Sequence, residues 1–427
     1  FSFKDKGADR YGFASPACNG MYYNNDIDYA PPVKADGTRY PEHPFTAAPT
    51  DGFNLASPVR DLSSQFRAVD WGCDSAVGGA CDSPQAAYYY QYTRPKNGAY
   101  PLTYVYSEDG GVYVDQGMFP ACNSVVGKTP GRNVFTKVTS ADSGFRKQNF
   151  ANWYSYYRSR INAMKSAAGR AFDQILNPDG LRMGFSTLSE NQDYSKYQPL
   201  DDFCAADCSE SDPKQQRSEI FSKLYASAAK LGSTPLRSSM AKFGRMYAGF
   251  DKGSRLTGSA DPVLYSCQQN FLILATDGAW NGDANAAFNI ANSGGVGDRD
   301  GDAPKPMQDA FKVSNTLADI AMYYYETDLR DPSLNNCTGG LGEDVCTNDA
   351  QGGGRSNKAS TQHMTTFTLG FGIDGLLKYA ENYDSGLELD YSAILSGTKK
   401  WPNPSTNTMA RVDDLWHAAV NGRGKDF

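Results

Sequence analysis

The sequence predicts an α/β protein with a doubly wound sheet, preceded by a large loop-rich segment that contains strands. Strand-like and helix-like patterns alternate after about residue 146, as they do in sheets covered by helices on both faces. The continuous apolar run Phe271–Ala275 is typical of a parallel strand buried on both faces. Residues 1–145 are instead rich in Gly, Pro, Asn, Asp and Tyr and show no sustained helical period.

Short aromatic runs in the first segment predict short antiparallel strands joined by long loops. These runs are Ala87–Thr93, Leu102–Tyr106 and Gly111–Val114. From Gln148 to Leu176, apolar residues recur every three or four positions. This spacing predicts one long amphipathic helix, which ends at the turn formers Asn177–Gly180.

The rest of the chain alternates predicted strands and helices. In order, we expect strand Leu181–Leu188, helices Arg217–Ala229 and Pro235–Tyr247, strand Phe271–Ala275, helix Ser314–Glu326, strand Thr365–Gly370 and helix Val412–Val420. Loops rich in Cys, Gly or Asp separate them at about residues 190–215, 281–308 and 328–360. The predicted domains are therefore a loop-rich, β-containing subdomain over residues 1–145 and an α/β domain over residues 146–427.

Composition narrows the functional class. The chain has 427 residues, and 41 basic against 48 acidic residues give a net charge of −7. This acidic balance argues against a nucleic-acid partner, whose phosphates attract a basic surface. No apolar run approaches the roughly 18 residues of a membrane span. Because the chain begins with Phe1 and no signal segment precedes its polar opening, we expect a processed or truncated piece of an exported protein.

Nine cysteines are present, and several lie close together in polar loops. The close pairs are Cys73 with Cys81, Cys204 with Cys208 and Cys337 with Cys346. Such pairs indicate disulfides in an oxidising compartment or metal sites, and the scarcity of His favours disulfides over zinc. The odd count leaves one thiol free or paired outside the chain, and the pairing of Cys18, Cys122 and Cys267 stays open.

Two residues are candidate metal ligands at one edge of the predicted sheet. Asp277 follows the buried strand, and ligands bind outside the carboxyl ends of parallel strands. Its carboxylate suits a hard cation such as Mg²⁺ or Ca²⁺, although an Asp that starts a turn is the simpler interpretation. Thr234 precedes Pro235 and is a candidate N-cap, yet its hydroxyl should lie at the same edge as Asp277.

A second candidate is the acidic loop that carries carboxylates at alternate positions, Asp298, Asp300 and Asp302. Ala303 and Pro304 stand where an EF-hand needs its glycine turn and continuing loop, which argues against an EF-hand. A solvated acidic loop is the default interpretation, and a looser calcium loop is the alternative. No nucleophile motif of a hydrolase occurs. Asp414 and His417 can share a helix face, where packing or a surface pair is favoured over catalysis.

Several segments resemble the PilY family of bacterial type IV pilus tip adhesins and assembly factors. They span nearly the whole chain: Arg10–Tyr23, Tyr29–Tyr40, Gln148–Tyr157, Cys267–Gly282, Thr316–Arg330, His363–Gly372 and Val412–Gly424. The resemblance implies that this is the amino-terminal von Willebrand factor A-like portion of such a protein. The family carries a β-propeller after this portion, which we expect to be absent from this chain.

In von Willebrand A domains, a metal ion-dependent adhesion site is built from three loops. The resemblance places the third-loop Asp at Asp277 and the second-loop Thr at Thr234. The first-loop DxSxS motif does not occur in this chain. The resemblance therefore implies that the central first strand is missing or supplied by a separate piece, and that a site for Mg²⁺ or Ca²⁺ is incomplete here.

The function that this resemblance implies is adhesion and pilus assembly at the bacterial surface. We expect an extracellular, pilus-tip protein that binds minor pilins and a host-cell or surface ligand, and we do not expect an enzyme. The insertion over residues 1–145 should carry much of the ligand or partner surface. A secreted metal-dependent hydrolase is the alternative, weakened by the lack of a nucleophile motif and by the three histidines.

Overall fold

The structure is a computed structural model of the chain. It describes residues 13–17, 19–68, 82–93, 105–107, 112–113, 134–175, 181–188, 197–228, 233–250, 260–284, 286–347, 361–371, 375–379 and 389–423. These residues form a mixed α/β protein with small open sheets. In the described parts, no helix is both long and apolar enough to cross a membrane.

The described helices and strands follow the predicted order, with additions. The helices are α1 (Lys147–Tyr156), α2 (Arg160–Asp173), α3 (Ser211–Ala226), α4 (Leu236–Tyr247), α5 (Leu317–Glu326), α6 (Leu389–Ser396) and α7 (Ala410–Asn421). The strands are β1 (Ala48–Pro49), β2 (Val59–Arg60), β3 (Tyr88–Thr93), β4 (Val105–Ser107), β5 (Val112–Tyr113), β6 (Val134–Thr139), β7 (Arg182–Phe185), β8 (Gln198–Asp202), β9 (Asn270–Thr276) and β10 (Met364–Gly370).

The chain divides into two compact units. The first comprises residues 1–179 and 204–226, and the second comprises residues 180–203 and 227–427. Helices α1, α2 and α3 therefore belong to the first unit, together with the loop-rich segment, whereas the predicted domain boundary precedes α1. The two units are defined by contacts between residues. They do not test whether residues 1–145 are an insertion, which stays a prediction.

The first unit contains a four-stranded sheet in the order β3-β6-β4-β5. The predicted aromatic strands are present as β3, β4 and β5, and β3 pairs antiparallel with β6. Strand β4 pairs with β6 in parallel, whereas only antiparallel strands were predicted in this segment. Aromatic rings build the core: Tyr23 is fully buried and lies 4.7 Å from Phe150 and 5.9 Å from Trp153 between ring centroids.

The prediction of one helix from Gln148 to Leu176 is wrong, because the helix is interrupted between α1 and α2. Ser159 has extended backbone, with φ −93° and ψ 148°, and its hydroxyl accepts a hydrogen bond from Asn162 N. It thus caps α2, while Tyr157 N and Arg158 N both donate to Trp153 O at the end of α1. The apolar spacing continues across the break, so periodicity alone does not reveal it.

In the second unit, β9 and β10 pair in parallel over seven residues, from Asn270 opposite Met364 to Thr276 opposite Gly370. Both predicted strands are thereby confirmed. Helices α4, α5 and α7 pack against this pair, and Leu274 and Met364 lie in their shared core. The observed strand pairs β9–β10 and β7–β8 are consistent with an α/β fold, while the doubly wound, von Willebrand A-like sheet stays a prediction.

Burial of β9 on both faces was predicted and is wrong in this structure. Phe271 is 38% exposed and Ile273 is 69% exposed, whereas Leu274 is 3% exposed. On the neighbouring strand, Leu369 is 47% exposed. Since successive side chains of a strand point to opposite faces, one face of the pair carries the core and the other remains open to solvent.

The predicted helices after residue 217 are confirmed as α3, α4, α5 and α7, with shifted ends. Helix α5 begins at Leu317 and not at Ser314, because Thr316 and Asp319 form a capping box at its start. The predicted strand Leu181–Leu188 is the shorter β7, which pairs antiparallel with β8. Strand β8 was not predicted, because Pro199 and the acidic residues at its end carry no strand signal. Helix α6 was not predicted either.

Two of the predicted disulfides are present, Cys204–Cys208 and Cys337–Cys346. Asp344 lies close to the second pair, but the bond between the sulfurs removes the thiolates that a metal would need. Cys267 is free and exposed. Cys18, Cys73, Cys81 and Cys122 lie outside the described residues.

Candidate functional site

The carboxyl ends of β9 and β10 meet at one edge because the strands are parallel and in register. Beyond β9, the hydroxyl of Thr276 accepts a hydrogen bond from Gly278 N at 3.1 Å and lies 3.1 Å from Gly278 O. This tight turn places Asp277 at its tip, where it is exposed. The edge therefore presents a carboxylate to solvent.

Thr234 reaches the same edge from the segment before α4. Its N–H donates to Asn281 Oδ1 at 3.0 Å, and Asn281 N donates back to Thr234 O at 2.9 Å. The Thr234 hydroxyl lies 3.9 Å from the position that a Cβ on Gly278 would occupy. The structure thus brings the two predicted site segments together, while cation binding between them stays a prediction.

Helix α4 begins at Leu236 with Pro235 as its N-cap residue, one position later than predicted, and Thr234 does not cap it. The capping carboxylate is Asp283, which accepts hydrogen bonds from Arg237 N at 3.0 Å and Ser238 N at 3.2 Å. Asp283 comes from the loop after β9, 46 residues away from Arg237. Sequence reasoning missed this role because no local motif marks it.

Trp280 fixes the loop that leaves the strand edge. The guanidinium carbons of Arg237 and Arg411 lie 4.0 Å and 4.5 Å from the centroids of its ring system. The indole N–H donates to Asp414 Oδ2 at 2.7 Å. These three contacts anchor Trp280 in the loop that follows Asp277.

Asp414 and His417, the predicted pair on one helix, have structural roles. Asp414 accepts hydrogen bonds from Leu317 N at 2.9 Å and Ala318 N at 3.2 Å. It thus provides acceptors for two backbone N–H groups in the first turn of α5, where a negative charge is favourable. His417 donates from Nε2 to Met307 O at 2.7 Å and stacks on Trp401 at 4.5 Å. Burial lowers the pKa of His417 to about 4, so the ring is neutral at neutral pH.

The acidic loop separates its three predicted residues. Asp302 is exposed and forms an ion pair with Lys312 at 2.6 Å. Asp298 and Asp300 instead converge with Asp319 from α5, and one ligand oxygen from each lies within 4.8 Å of the others. Asp319 was not predicted, although the spacing from Thr316 to Asp319 is a sequence signal for a capping box.

Burial and neighbouring carboxylates perturb the acids of this cluster. Burial, followed by the charges of Asp319 and Asp309, raises the pKa of Asp300 to about 9. Burial also raises the pKa of Asp319 to about 6, against hydrogen bonds from Arg299 N and from Thr316. Perturbed carboxyl groups of this kind gather at functional sites and in buried structural networks.

Three proteins named type IV pilus biogenesis factor PilY1, from Pseudomonas aeruginosa, are similar to this chain. The protein of strain UCBPP-PA14 is 30% identical over 96% of this chain and 33% of its own length. The protein of strain PAK is 30% identical over 97% of this chain and 34% of its own length. The protein of strain PAO1 is 28% identical over 100% of this chain and 35% of its own length.

The chain therefore spans about a third of the length of the curated relatives it matches. No family model matches the chain, and no solved structure matches it.

Proposed function

Since this chain is a PilY-family protein over the third of its relatives' length that it spans, we propose that it acts in type IV pilus biogenesis as a surface-exposed adhesive module. In this role it binds minor pilins and a surface ligand, outside the cell. The observation that carries the proposal is similarity along 96% or more of the chain to proteins named for pilus biogenesis.

The strand edge with Asp277 and Thr234 is the proposed ligand-facing part of a von Willebrand A-like module. An exposed carboxylate and a nearby hydroxyl at the ends of parallel strands support this assignment. One carboxylate and one hydroxyl supply too few oxygens for a Mg²⁺ or Ca²⁺ ion, which takes about six or more. Further oxygens would come from water, from the ligand or from other residues.

Complementation of a deletion strain with the full-length gene tests the proposal. Deletion should reduce both surface pili and attachment, and the wild-type gene should restore both. A gene carrying Asp277→Ala should restore pili but not full attachment, because the substitution removes the ligand-facing carboxylate. Asp302→Ala, a change of another exposed carboxylate, is the matched control and should restore both.

Normal piliation and attachment in the deletion strain would contradict the pilus function itself. Full attachment with Asp277→Ala would contradict only the strand edge as the ligand-facing part. The hydrolase alternative gains no support from the described residues. The relatives are named for pilus biogenesis, and His363 and His417 both bond to backbone carbonyls.

A further inference from the structure

We propose that Asp298, Asp300 and Asp319 bind one Ca²⁺ ion at a site separate from the strand edge. This inference goes beyond the adhesive function and does not depend on it. The loop residues Asp298 and Asp300 reach the first turn of α5, where Asp319 lies.

The spacing of the three carboxylates fits a single calcium ion. Their ligand oxygens all lie within 4.8 Å of one another. Calcium binds oxygens at about 2.3–2.6 Å, so two ligands of one ion are separated by at most about 5 Å. Three carboxylates from two parts of the chain thus satisfy the geometric requirement together.

Two unpartnered oxygens at this place are an independent observation. Asp300 Oδ1 and Asn421 Oδ1 have no hydrogen-bond partner, although both residues are fully buried. The two side chains touch, since Asn421 Nδ2 donates to Asp300 Oδ2 at 2.6 Å. Buried acceptors without a donor are rare in folded proteins, and a bound cation is a partner that such an oxygen can take.

The local grouping of acids also favours a cation. Four buried carboxylates surround the start of α5: Asp300, Asp309, Asp319 and Asp414. Within the described parts of the chain, no Lys or Arg side chain forms an ion pair with any of them. His417 Nε2 lies 3.5 Å from Asp300 Oδ2, but this nitrogen donates to Met307 O. Buried charges are paired or bound to metals because burying them alone is costly.

Asp309 lies near the three proposed ligands but is not one of them. Both oxygens of Asp309 accept backbone hydrogen bonds, from Phe311 N and Val313 N at 2.8 Å each. These bonds fix the turn after Asp309, and Asp309 N donates to Asp300 O at 3.3 Å. Asp298 is exposed, so the site opens to solvent on that side. Irregular sets of protein oxygens favour Ca²⁺ over Mg²⁺, which demands a near-ideal octahedron and retains water.

Calorimetric titration of Ca²⁺ into the EDTA-treated 427-residue chain tests the proposal. The wild-type chain should bind one ion at this site, and Ca²⁺ should raise its unfolding temperature. Asp300→Asn keeps the shape of the side chain and should abolish both effects. Because Asp300 is buried, Asp298→Asn provides a second variant at an exposed position, and it should weaken binding by about tenfold or more.

Two controls separate this site from other carboxylates. Asp302→Asn changes the same loop outside the cluster and should bind Ca²⁺ as the wild-type chain does. Asp277→Ala changes the proposed ligand-facing edge and should keep the ion held by Asp298, Asp300 and Asp319. No binding by the wild-type chain would overturn the proposal. Wild-type affinity in both Asp298→Asn and Asp300→Asn would also overturn it, as would loss of all binding in Asp277→Ala.

Discussion

The carboxylate of Asp283 binds both the backbone N–H and the guanidinium of Arg237. Oδ2 accepts from Arg237 N at 3.0 Å, and Oδ1 accepts from Nε at 3.0 Å and from Nη2 at 2.7 Å. Both side chains are buried. One carboxylate thereby caps α4, neutralises a buried arginine and ties the loop after β9 to the helix.

Replacing Asp283 with Ala should destabilise the second unit strongly. The variant leaves the Arg237 charge buried without its partner, a change that typically costs about 3–5 kcal/mol. Urea denaturation should show the loss in the free energy of unfolding. Asp302→Ala, which breaks an exposed pair with Lys312, is the control and should leave the midpoint unchanged. Equal midpoints for Asp283→Ala and wild type would show that the buried pair contributes little.

Gly244 should not tolerate alanine, although alanine favours helices. A Cβ at this position would come within 2.2 Å of Tyr324 Cδ1, and Tyr324 is held by a hydrogen bond to Phe288 O at 2.8 Å. Overpacking of about 1–3 kcal/mol exceeds the gain of about 1 kcal/mol in helix propensity. Thermal unfolding should therefore show a lower midpoint for Gly244→Ala. Gly144→Ala, with no atom within 4 Å of its Cβ, is the control.

Neighbouring residues of β9 should respond differently to truncation. Leu274→Ala removes a core side chain and should lower the free energy of unfolding by about 2–5 kcal/mol. Ile273→Ala removes a side chain from the open face and should change it by less than about 0.5 kcal/mol. Chemical denaturation of both variants measures the contrast. A similar loss for both would mean that the second face is also covered in solution.

The cysteines should behave as two local disulfides and one accessible thiol. Peptide mass mapping of a non-reduced digest should find Cys204 joined to Cys208 and Cys337 joined to Cys346. Iodoacetamide should modify Cys267 without denaturant. Removing the second bridge with Cys337→Ser and Cys346→Ser should lower stability by about 2–3 kcal/mol, because the short closed loop then regains its freedom on unfolding. Cys267→Ser should leave stability unchanged.

His363 should make the fold less stable in mild acid. Burial lowers its pKa below the usual value, although its Nδ1–H donates to Thr361 O at 2.6 Å. Below about pH 6.5 the unfolded chain takes up a proton that the folded chain resists, so stability falls as pH falls. His363→Gln should reduce this loss, measured as denaturation midpoints at several pH values. An unchanged pH dependence in the variant would exclude His363 as a source.

Local patterns predicted many elements of the fold. The apolar run Phe271–Ala275 and the segment Thr365–Gly370 were sufficient to predict two strands, because such runs favour extended backbone. The strands are parallel as predicted, although the burial on both faces from which this was argued is not observed. Periodicity also placed α4 and α5 within three residues. It missed the break at Ser159, since one polar residue on a helix face does not disturb the pattern.

The candidate site was predicted only in part. The sequence patterns of strands and helices predicted that Asp277 follows a strand and that Thr234 precedes a helix. Their location at one edge follows from this order of elements. The grouping of Asp300 with Asp319 and Asn421 was not predictable, since these residues lie 19 and 121 positions from Asp300 and meet only through packing. The acidic residues at alternate positions favoured Asp302 as the third ligand, but its side chain is exposed to solvent.

The sequence alone determined the family, the order of the main helices and strands, and the two local disulfides. Each of these depends on residues close together along the chain or on similarity along its whole length. Tertiary structure alone decided which face of β9 is buried, which carboxylate caps α4, and which acids of the loop face a common centre. The physical reason is that burial and the shared charge of Asp298, Asp300 and Asp319 arise only when distant segments pack together.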